Sequence, residues 1–109
     1  MKSAILYIRV DKKLENYVDA CDQKNAAYQY AIENNINICN AFTDFNDAEP
    51  FDQPELSNAI NYCKKHSIEI IVMHDYRVLS HKYMQRVINA KFVHKNNLHI
   101  SFVSNNAHS

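Results

Sequence analysis

Three aspartates of this sequence stand where metal ions and phosphate groups are often bound in proteins built on parallel strands. Asp11, Asp44 and Asp75 each come shortly after an apolar run of strand-forming residues. The carboxyl ends of parallel strands lie at one edge of a sheet, and ligands are usually bound there. Three carboxylates at such an edge could hold Mg²⁺ and support phosphoryl transfer. A metal-dependent phosphoryl-transfer or nuclease-like enzyme is therefore one function that the sequence allows.

Two arginines accompany these aspartates. Arg9 lies near the end of the first apolar run, just before Asp11, and Arg77 follows Asp75 closely. Arginines at this edge could neutralise a phosphate. They could equally pair with the aspartates in a buried network, which stabilises a fold little but is costly to break. The sequence leaves both roles open.

The positions of these residues depend on predicted strands and helices. Apolar runs predict strands at residues 3–10, 36–42, 68–73 and 98–103. Apolar residues spaced three or four apart predict three helices, from about 14 to 35, from 52 to 66 and from 80 to 97. The alternation of strand and helix predicts a three-layer α/β fold. Its mostly parallel, four-stranded sheet would be joined by right-handed crossovers.

Each predicted helix has a stripe that should face the sheet. The stripe of the first helix consists of Leu14, Val18, Cys21, Tyr28 and Ile32. The stripe of the second consists of Leu56, Ala59, Ile60 and Cys63. The stripe of the third consists of Met84, Val87, Ile88, Lys91 and Phe92.

Turn residues define the ends of these helices. Asp52 and Ser80 are predicted to cap the second and third helix. Since the chain has no glycine, positive backbone φ angles should fall on Asn or Asp. The pairs 34–35 and 96–97, all asparagines, are predicted to end the first and third helix. The acidic stretch 43–51 is predicted to be a surface loop.

The composition limits the functions of the chain. Its 109 residues suit one domain, and its 12 basic and 12 acidic residues give a formal net charge of zero. A dedicated nucleic-acid binder is usually basic, so we expect only weak DNA binding by this chain alone. Without glycine there is no phosphate loop or dinucleotide motif, and the histidines lack zinc-ligand spacing. We expect no cofactor and no metal, and a cytoplasmic protein without membrane contact.

Several short motifs occur along the chain in a fixed order. Residues 7–10 are similar to the start of the motif Y-x-R-V-S, Phe42-Thr43-Asp44 is similar to F-x-D, and Pro54-Glu55-Leu56 is similar to R-P-x-L. The stretch from Ile70 to Ser80 is similar to V-V-x-x-x-D-R-L-S-R. One enzyme family carries these motifs in this order, and the sequence resembles its catalytic domain, that of the serine recombinases, the resolvase/invertase family. Gln23 lies where this family carries a glutamine in its first helix.

The resemblance implies a site that has lost groups needed for DNA cleavage. The position of the family's nucleophilic serine is Asp11, the arginine before the proline is Gln53, and the last arginine is His81. Either Asp75 or Tyr76 corresponds to the family aspartate. The candidate catalytic residues are Arg9, Asp11 in place of the nucleophile, Gln23, Asp44, Asp75 and Arg77. The candidate nucleic-acid contacts are Arg9, Arg77, His81 and Lys82.

These observations favour a resolvase-like domain that no longer recombines DNA. We expect an accessory or regulatory protein that acts through protein contacts, as a homo-oligomer or with a protein partner, and possesses weak affinity for DNA. We expect a single domain over residues 1–109, with a flexible tail from about residue 104 and no helix-turn-helix domain. The metal-dependent enzyme with strand-end aspartates remains the alternative.

Overall fold

A computed structural model describes residues 1–12, 17–45, 53–79 and 83–104 of the chain. The strands are β1 (Lys2–Val10), β2 (Ile36–Phe45), β3 (Ile70–Met73) and β4 (His99–Phe102). The helices are α1 (Ala20–Glu33), α2 (Pro54–His66) and α3 (Tyr83–Lys95), and a short 3₁₀ helix spans Tyr76–Leu79 after β3. None of the described helices is long and apolar enough to cross a membrane.

The strands form one sheet in the order β2-β1-β3-β4, and every pairing is parallel. This confirms the predicted sheet, with β1 inside it and β2 at an edge. β1 is buried from Ala4 to Val10 because it is paired on both sides and covered on both faces. In the register between β1 and β2, Arg9 lies beside Asp44. A register shift next to Ala4 and Ile5 gives β2 one extra residue, which is the geometry of a β-bulge.

The sheet separates two apolar clusters, which confirms the three-layer prediction. On one face, Ile5 and Tyr7 pack with α2, α3 and the 3₁₀ helix. On the other face, Leu6 and Ile8 pack with Ala27 of α1. Side chains alternate along a strand, so β1 supplies both clusters.

The prediction for α1 was wrong in its start and in its buried face. The helix begins at Ala20 because Asp19 caps it, with its carboxylate accepting from the Asp22 amide at 2.9 Å. The side chains that it buries are those of Gln23, Ala27 and Ala31. Small alanines allow the helix to lie close to the sheet. Of the predicted stripe, Cys21, Tyr28 and Ile32 are exposed, Val18 precedes the helix, and Leu14 lies outside the described residues.

The stripe of α2 was predicted correctly and the stripe of α3 only in part. Leu56, Ala59, Ile60 and Cys63 are all buried. In α3, Val93 is fully buried and Val87 partly buried, whereas Ile88, Lys91 and Phe92 are exposed. The polar Asn89 faces inward instead, because its amide donates to the Leu79 carbonyl oxygen at 2.6 Å. The predicted cap Ser80 and the side chain of Met84 lie outside the described residues.

Among the residues that the structure describes, three have positive φ, and two of these positions were predicted. Asn35 (φ 57°) and Asn97 (φ 61°) follow α1 and α3, but the third is Ser67 (φ 55°), where Asn or Asp was expected. The predicted loop 43–51 was wrong at its start, because β2 continues to Phe45 in register with β1. The rest of that loop, residues 46–51, lies outside the described residues, as does the predicted cap Asp52. The second helix, predicted from residue 52, begins at Pro54, directly after Gln53. The predicted tail lies outside them from residue 105.

Candidate functional site

The carboxyl end of β1 carries a buried ion pair. The Arg9 guanidinium Nη2 lies 3.0 Å from Asp11 Oδ2, and each side chain is only 1% exposed. Arg9 Nη1 also donates to the backbone carbonyl oxygen of Arg77 at 3.3 Å, which joins β1 to the 3₁₀ helix after β3. The carboxylate offsets the charge of this arginine inside the protein. Arg9 is thus held by the chain's own groups at the point where the sheet ends.

A second ion pair follows β3. Arg77 Nη2 donates to Asp75 Oδ2 at 2.9 Å, and the Arg77 backbone amide donates to Asp75 Oδ1 at the same distance. His74 Nδ1 lies 3.1 Å from Asp75 Oδ2. Burial alone would raise the pKa of Asp75, but the Arg77 bonds and charge and the His74 contact hold that pKa below its ordinary value. The same hydrogen bond to Asp75 raises the pKa of Arg77.

Gln23 joins α1 to the end of β1. Its Nε2 donates to the carbonyl oxygen of Arg9 at 2.9 Å and to that of Val18 at 2.7 Å. Because both partners are carbonyl oxygens, the amide has one orientation. Its Oε1 is buried and has no hydrogen-bond partner in the described part of the chain. Gln23 therefore positions the start of α1 against the site.

The two ion pairs and Gln23 line one cleft that opens to solvent. It lies between β1 and β3, where the direction of strand order reverses, which is the usual ligand position in an open α/β sheet. Two arginines and two carboxylates give the cleft no net charge from these groups. The residues that line it are Arg9, Asp11, Tyr17, Val18, Gln23, His74, Asp75, Arg77 and Val78.

Asp44 lies outside this cleft and caps a helix. Its carboxylate accepts from the backbone amides of Glu55 at 3.1 Å and Leu56 at 3.3 Å, and from the Tyr7 hydroxyl at 2.8 Å. It supplies the side-chain cap that Gln53, at the start of α2, does not supply. Burial raises the pKa of Asp44 although these hydrogen bonds oppose the rise. Burial also raises the pKa of Tyr7.

The three strand-end aspartates are therefore not brought together. Asp11 is paired with Arg9, Asp75 with Arg77, and Asp44 binds the start of α2. Within residues 1–12, 17–45, 53–79 and 83–104, no group of three metal-ligating side chains is placed to hold an ion. The placement of these carboxylates gives the metal-dependent alternative no support.

The sequence reasoning missed a partly buried polar network that lies beside the site. Gln53 Nε2 donates to the Tyr7 hydroxyl oxygen at 2.9 Å, and Gln53 Oε1 accepts from Asn89 Nδ2 at 3.0 Å. Together with Asp44, it connects β1, β2, α2 and α3. The available signal was an asparagine among the apolar positions of the third helix. This network holds Gln53 away from the cleft.

The sequence model of one protein family, described as "Resolvase, N terminal domain", matches residues 4–109. The chain belongs to this family. No curated protein sequence matches the chain. The resolvase fold is also shared with solved structures at low sequence identity.

Two of these structures share the fold over nearly the whole of this chain. The N-terminal catalytic domain of TP901-1 integrase matches with a TM-score of 0.77 and 17% identity, over 95% of this chain and 78% of that one. The C-terminal catalytic domain of ISC1926 TnpA, an IS607-like serine recombinase, matches with a TM-score of 0.70 and 15% identity, over 93% and 70%. At these identities the similarity shows the fold of the catalytic domain.

Most of the predicted site residues of this resolvase domain lie together. Arg9, Asp11, Gln23, Asp75 and Arg77 line the cleft. Asp44, predicted with them, caps α2 instead, because Tyr7 and the amides of α2 hold its carboxylate. The predicted nucleic-acid contacts His81 and Lys82 lie outside the described residues.

Proposed function

We propose that this chain is a catalytically silent resolvase-like domain that acts through protein contacts and binds DNA weakly. The observation that carries the proposal is the Arg9–Asp11 pair, 3.0 Å apart and 1% exposed on both sides. Asp11 stands where the family resemblance puts the nucleophilic serine. At this position a carboxylate replaces the hydroxyl, and the same carboxylate forms an ion pair with the neighbouring Arg9.

This pairing opposes DNA cleavage in two ways. An anionic carboxylate repels the phosphodiester that a serine would attack. Arg9 is engaged by Asp11 and by the Arg77 carbonyl oxygen, so it is not ready to stabilise a phosphate in the transition state. The loss of one stabilising donor typically reduces a rate by about 100- to 1000-fold.

A further substitution adds to this loss. Gln53 stands where the resemblance puts an arginine, and its side chain is bonded to Tyr7 and Asn89. A neutral amide in that network supplies no charge to a phosphate. Taken together, the Asp11 and Gln53 substitutions remove the nucleophile and one positive charge, and Asp11 engages a second arginine.

The remaining role follows from what the chain retains. It keeps the fold of a recombinase catalytic domain and has a formal net charge of zero. With little electrostatic attraction for a phosphate backbone, protein contacts are the better supported activity. An accessory or regulatory role beside an active recombinase, or in an assembly of its own copies, fits both features.

The test is incubation of the full chain with supercoiled DNA, followed by native and denaturing gels. Wild type is compared with Asp11→Ser, which supplies a hydroxyl, and with Asp11→Asn, which removes the charge alone. Each is run with Mg²⁺ and with a chelator, after circular dichroism has established that it is folded. We expect no nicking and no covalent protein–DNA adduct from wild type.

The other outcomes have distinct meanings. An adduct or nicking by wild type without metal would refute the proposal. Nicking only with Mg²⁺ would revive the metal-dependent alternative. An adduct formed by Asp11→Ser and absent with Asp11→Asn would support the proposal, since it would show that Asp11 itself silences the site.

A further inference from the structure

The cleft at the end of β1 contains one buried polar atom that its neighbours do not satisfy. Gln23 is 3% exposed, and its Oε1 has no hydrogen-bond partner within the part of the chain that the structure describes. The other end of the amide is fixed, because Nε2 donates to the carbonyl oxygens of Arg9 and Val18. A buried acceptor without a donor is costly, and such atoms in folded proteins are generally satisfied by protein groups or water. Gln23 Oε1 therefore marks a place where a donor is needed.

His74 supplies a second acceptor on the wall of this cleft. Its side chain is 17% exposed, and its Nδ1 lies 3.1 Å from Asp75 Oδ2. The Asp75 carboxylate is paired with Arg77 and is ionised, so it accepts the proton of Nδ1. In the neutral ring this leaves Nε2 as an acceptor, and no donor among the described residues bonds to it.

The charged donors that line the cleft are engaged by the chain itself. Arg9 donates to Asp11 and to the Arg77 carbonyl oxygen. Arg77 donates to Asp75 through both Nε and Nη2. An oxyanion such as phosphate offers only acceptors, and the two carboxylates repel it. The group that complements Gln23 Oε1 and His74 Nε2 is therefore a hydrogen-bond donor.

The space within the cleft limits the size of this donor. The free volume is about 20 Å³. A bound water needs about 10–15 Å³ of such space and at least two polar partners. The cleft thus accommodates one group of the size of a water, and a phosphodiester with its flanking sugars is too large. A group of this size that gives two hydrogen bonds is a water or a terminal amino group, either an ammonium or the NH₂ of an amide.

We propose that the cleft is a binding site for one small hydrogen-bond donor, a water or the amino group of a ligand, which donates to Gln23 Oε1 and to His74 Nε2. The bound group joins α1 to the end of β3, because Gln23 lies on α1 and His74 directly follows β3. The preference of the cleft is then opposite to that of a phosphate site. The inference goes beyond the proposed function and does not depend on whether the chain cuts DNA.

The experiment is nuclear magnetic resonance on the ¹⁵N-labelled full chain at about pH 8, where a histidine ring is ordinarily neutral. One arm records nuclear Overhauser effects between water and the side-chain amide protons of Gln23, which a long-lived water produces. The other arm titrates ammonium chloride at constant ionic strength and follows the ¹⁵N signals of Gln23 and His74. Tetramethylammonium chloride, with the same charge and no N–H, and sodium phosphate are the controls. We expect a long-lived water, a saturable shift with ammonium, or both, and no shift with either control.

Variants test whether the two acceptors hold the bound group. Gln23→Met removes one acceptor, and its effect is measured at the His74 ring. His74→Asn keeps a donor for Asp75 and lacks Nε2, and its effect is measured at the Gln23 amide. Both variants should lose the response of wild type. Gln29→Met makes the same change at an exposed glutamine of α1 that bonds to Glu33, and should respond like wild type. Circular dichroism establishes that each variant is folded, and His74→Asn carries the test where Gln23→Met does not fold.

Each outcome has one meaning. A long-lived water without an ammonium response supports the inference with solvent as the occupant, and an ammonium response supports it with an amino group. Three results would overturn it: neither response in wild type, a shift with phosphate or tetramethylammonium as large as that with ammonium, or a full response in His74→Asn. The measurement contains no DNA, so its failure is distinct from a failure of the cleavage test. A chain that holds the donor and also nicks DNA would refute the silent site and leave this inference standing.

Discussion

Replacing Asp11 by asparagine removes the carboxylate that faces Arg9 and preserves the size of the side chain. Arg9 and Asp11 are 3.0 Å apart and each side chain is only 1% exposed. Water therefore has little access to solvate the Arg9 guanidinium once the carboxylate is gone. Arg9 still donates to the Arg77 carbonyl oxygen, but that oxygen carries no net charge. Breaking a buried pair by removing one partner costs about 3–5 kcal/mol. Because the asparagine oxygen can still accept from Arg9, we expect a loss near 3 kcal/mol.

The assay is urea unfolding at neutral pH, followed by far-ultraviolet circular dichroism. With an m-value of about 1–2 kcal/mol per molar urea, this loss lowers the unfolding midpoint by roughly 1.5–3 M. Arg9→Met should cost a similar amount, because it leaves the Asp11 carboxylate buried and unpaired. The double variant Arg9→Met/Asp11→Leu should cost less than either single variant, since no buried charge remains.

Two results would refute this reasoning. An Asp11→Asn protein whose free energy of unfolding lies within about 0.5 kcal/mol of wild type would mean that the pair is screened by water. A double variant whose cost equals the sum of the two single costs would mean that Arg9 and Asp11 are not coupled. The same loss of charge affects Asp11→Ser, so its folded fraction must be known before its cleavage activity is judged.

Three further predictions concern other groups. Asp44→Ala removes the cap of α2 and the acceptor of a buried hydroxyl, and should lower the free energy of unfolding by about 2 kcal/mol in urea titrations; an unchanged midpoint would contradict the capping role. The pKa of Asp75 is lowered from 3.8, so its stabilisation is present above that pH and is lost as pH falls further; the difference in unfolding free energy between wild type and Asp75→Asn should shrink there, and a constant difference would contradict it. Burial raises the pKa of the Cys63 thiol to about 11, so a thiol reagent at neutral pH should label the exposed Cys21 and Cys39 first, and equal rates would show that Cys63 is accessible.

Local patterns in the sequence determined the main elements. The apolar run of β1 predicted a central strand, and the spacing of Leu56, Ala59, Ile60 and Cys63 predicted the buried stripe of α2. These patterns are reliable because their cause lies within a few residues: the alternation of a strand or the repeat of a helix. The resemblance motifs, also local, led to the family that the sequence model matches.

Which face of a helix is buried was harder to predict from the sequence. The sequence pattern predicted that the large apolar residues of α1 would face the sheet. The structure instead buries Ala27 and Ala31, whose small side chains allow the helix to pack closely on the sheet. Tyr28 and Ile32 were thereby left exposed. A sequence shows which residues are apolar, and it does not show which side of a helix the sheet will cover when both sides carry apolar groups.

The same distinction between local pattern and tertiary packing applies to the residues of the site. The sequence by itself predicted that Asp11, Asp44 and Asp75 would lie at one edge of the sheet, with Arg9 and Arg77 at the same strand ends, because parallel strands end together. Only the tertiary structure decided which side chain each would bind, and that Asp44 would turn to the amides of α2. The bond from Arg9 to the Arg77 carbonyl oxygen joins residues 68 positions apart. The direction of such a contact depends on how elements distant in the sequence pack against one another, which no local pattern carries.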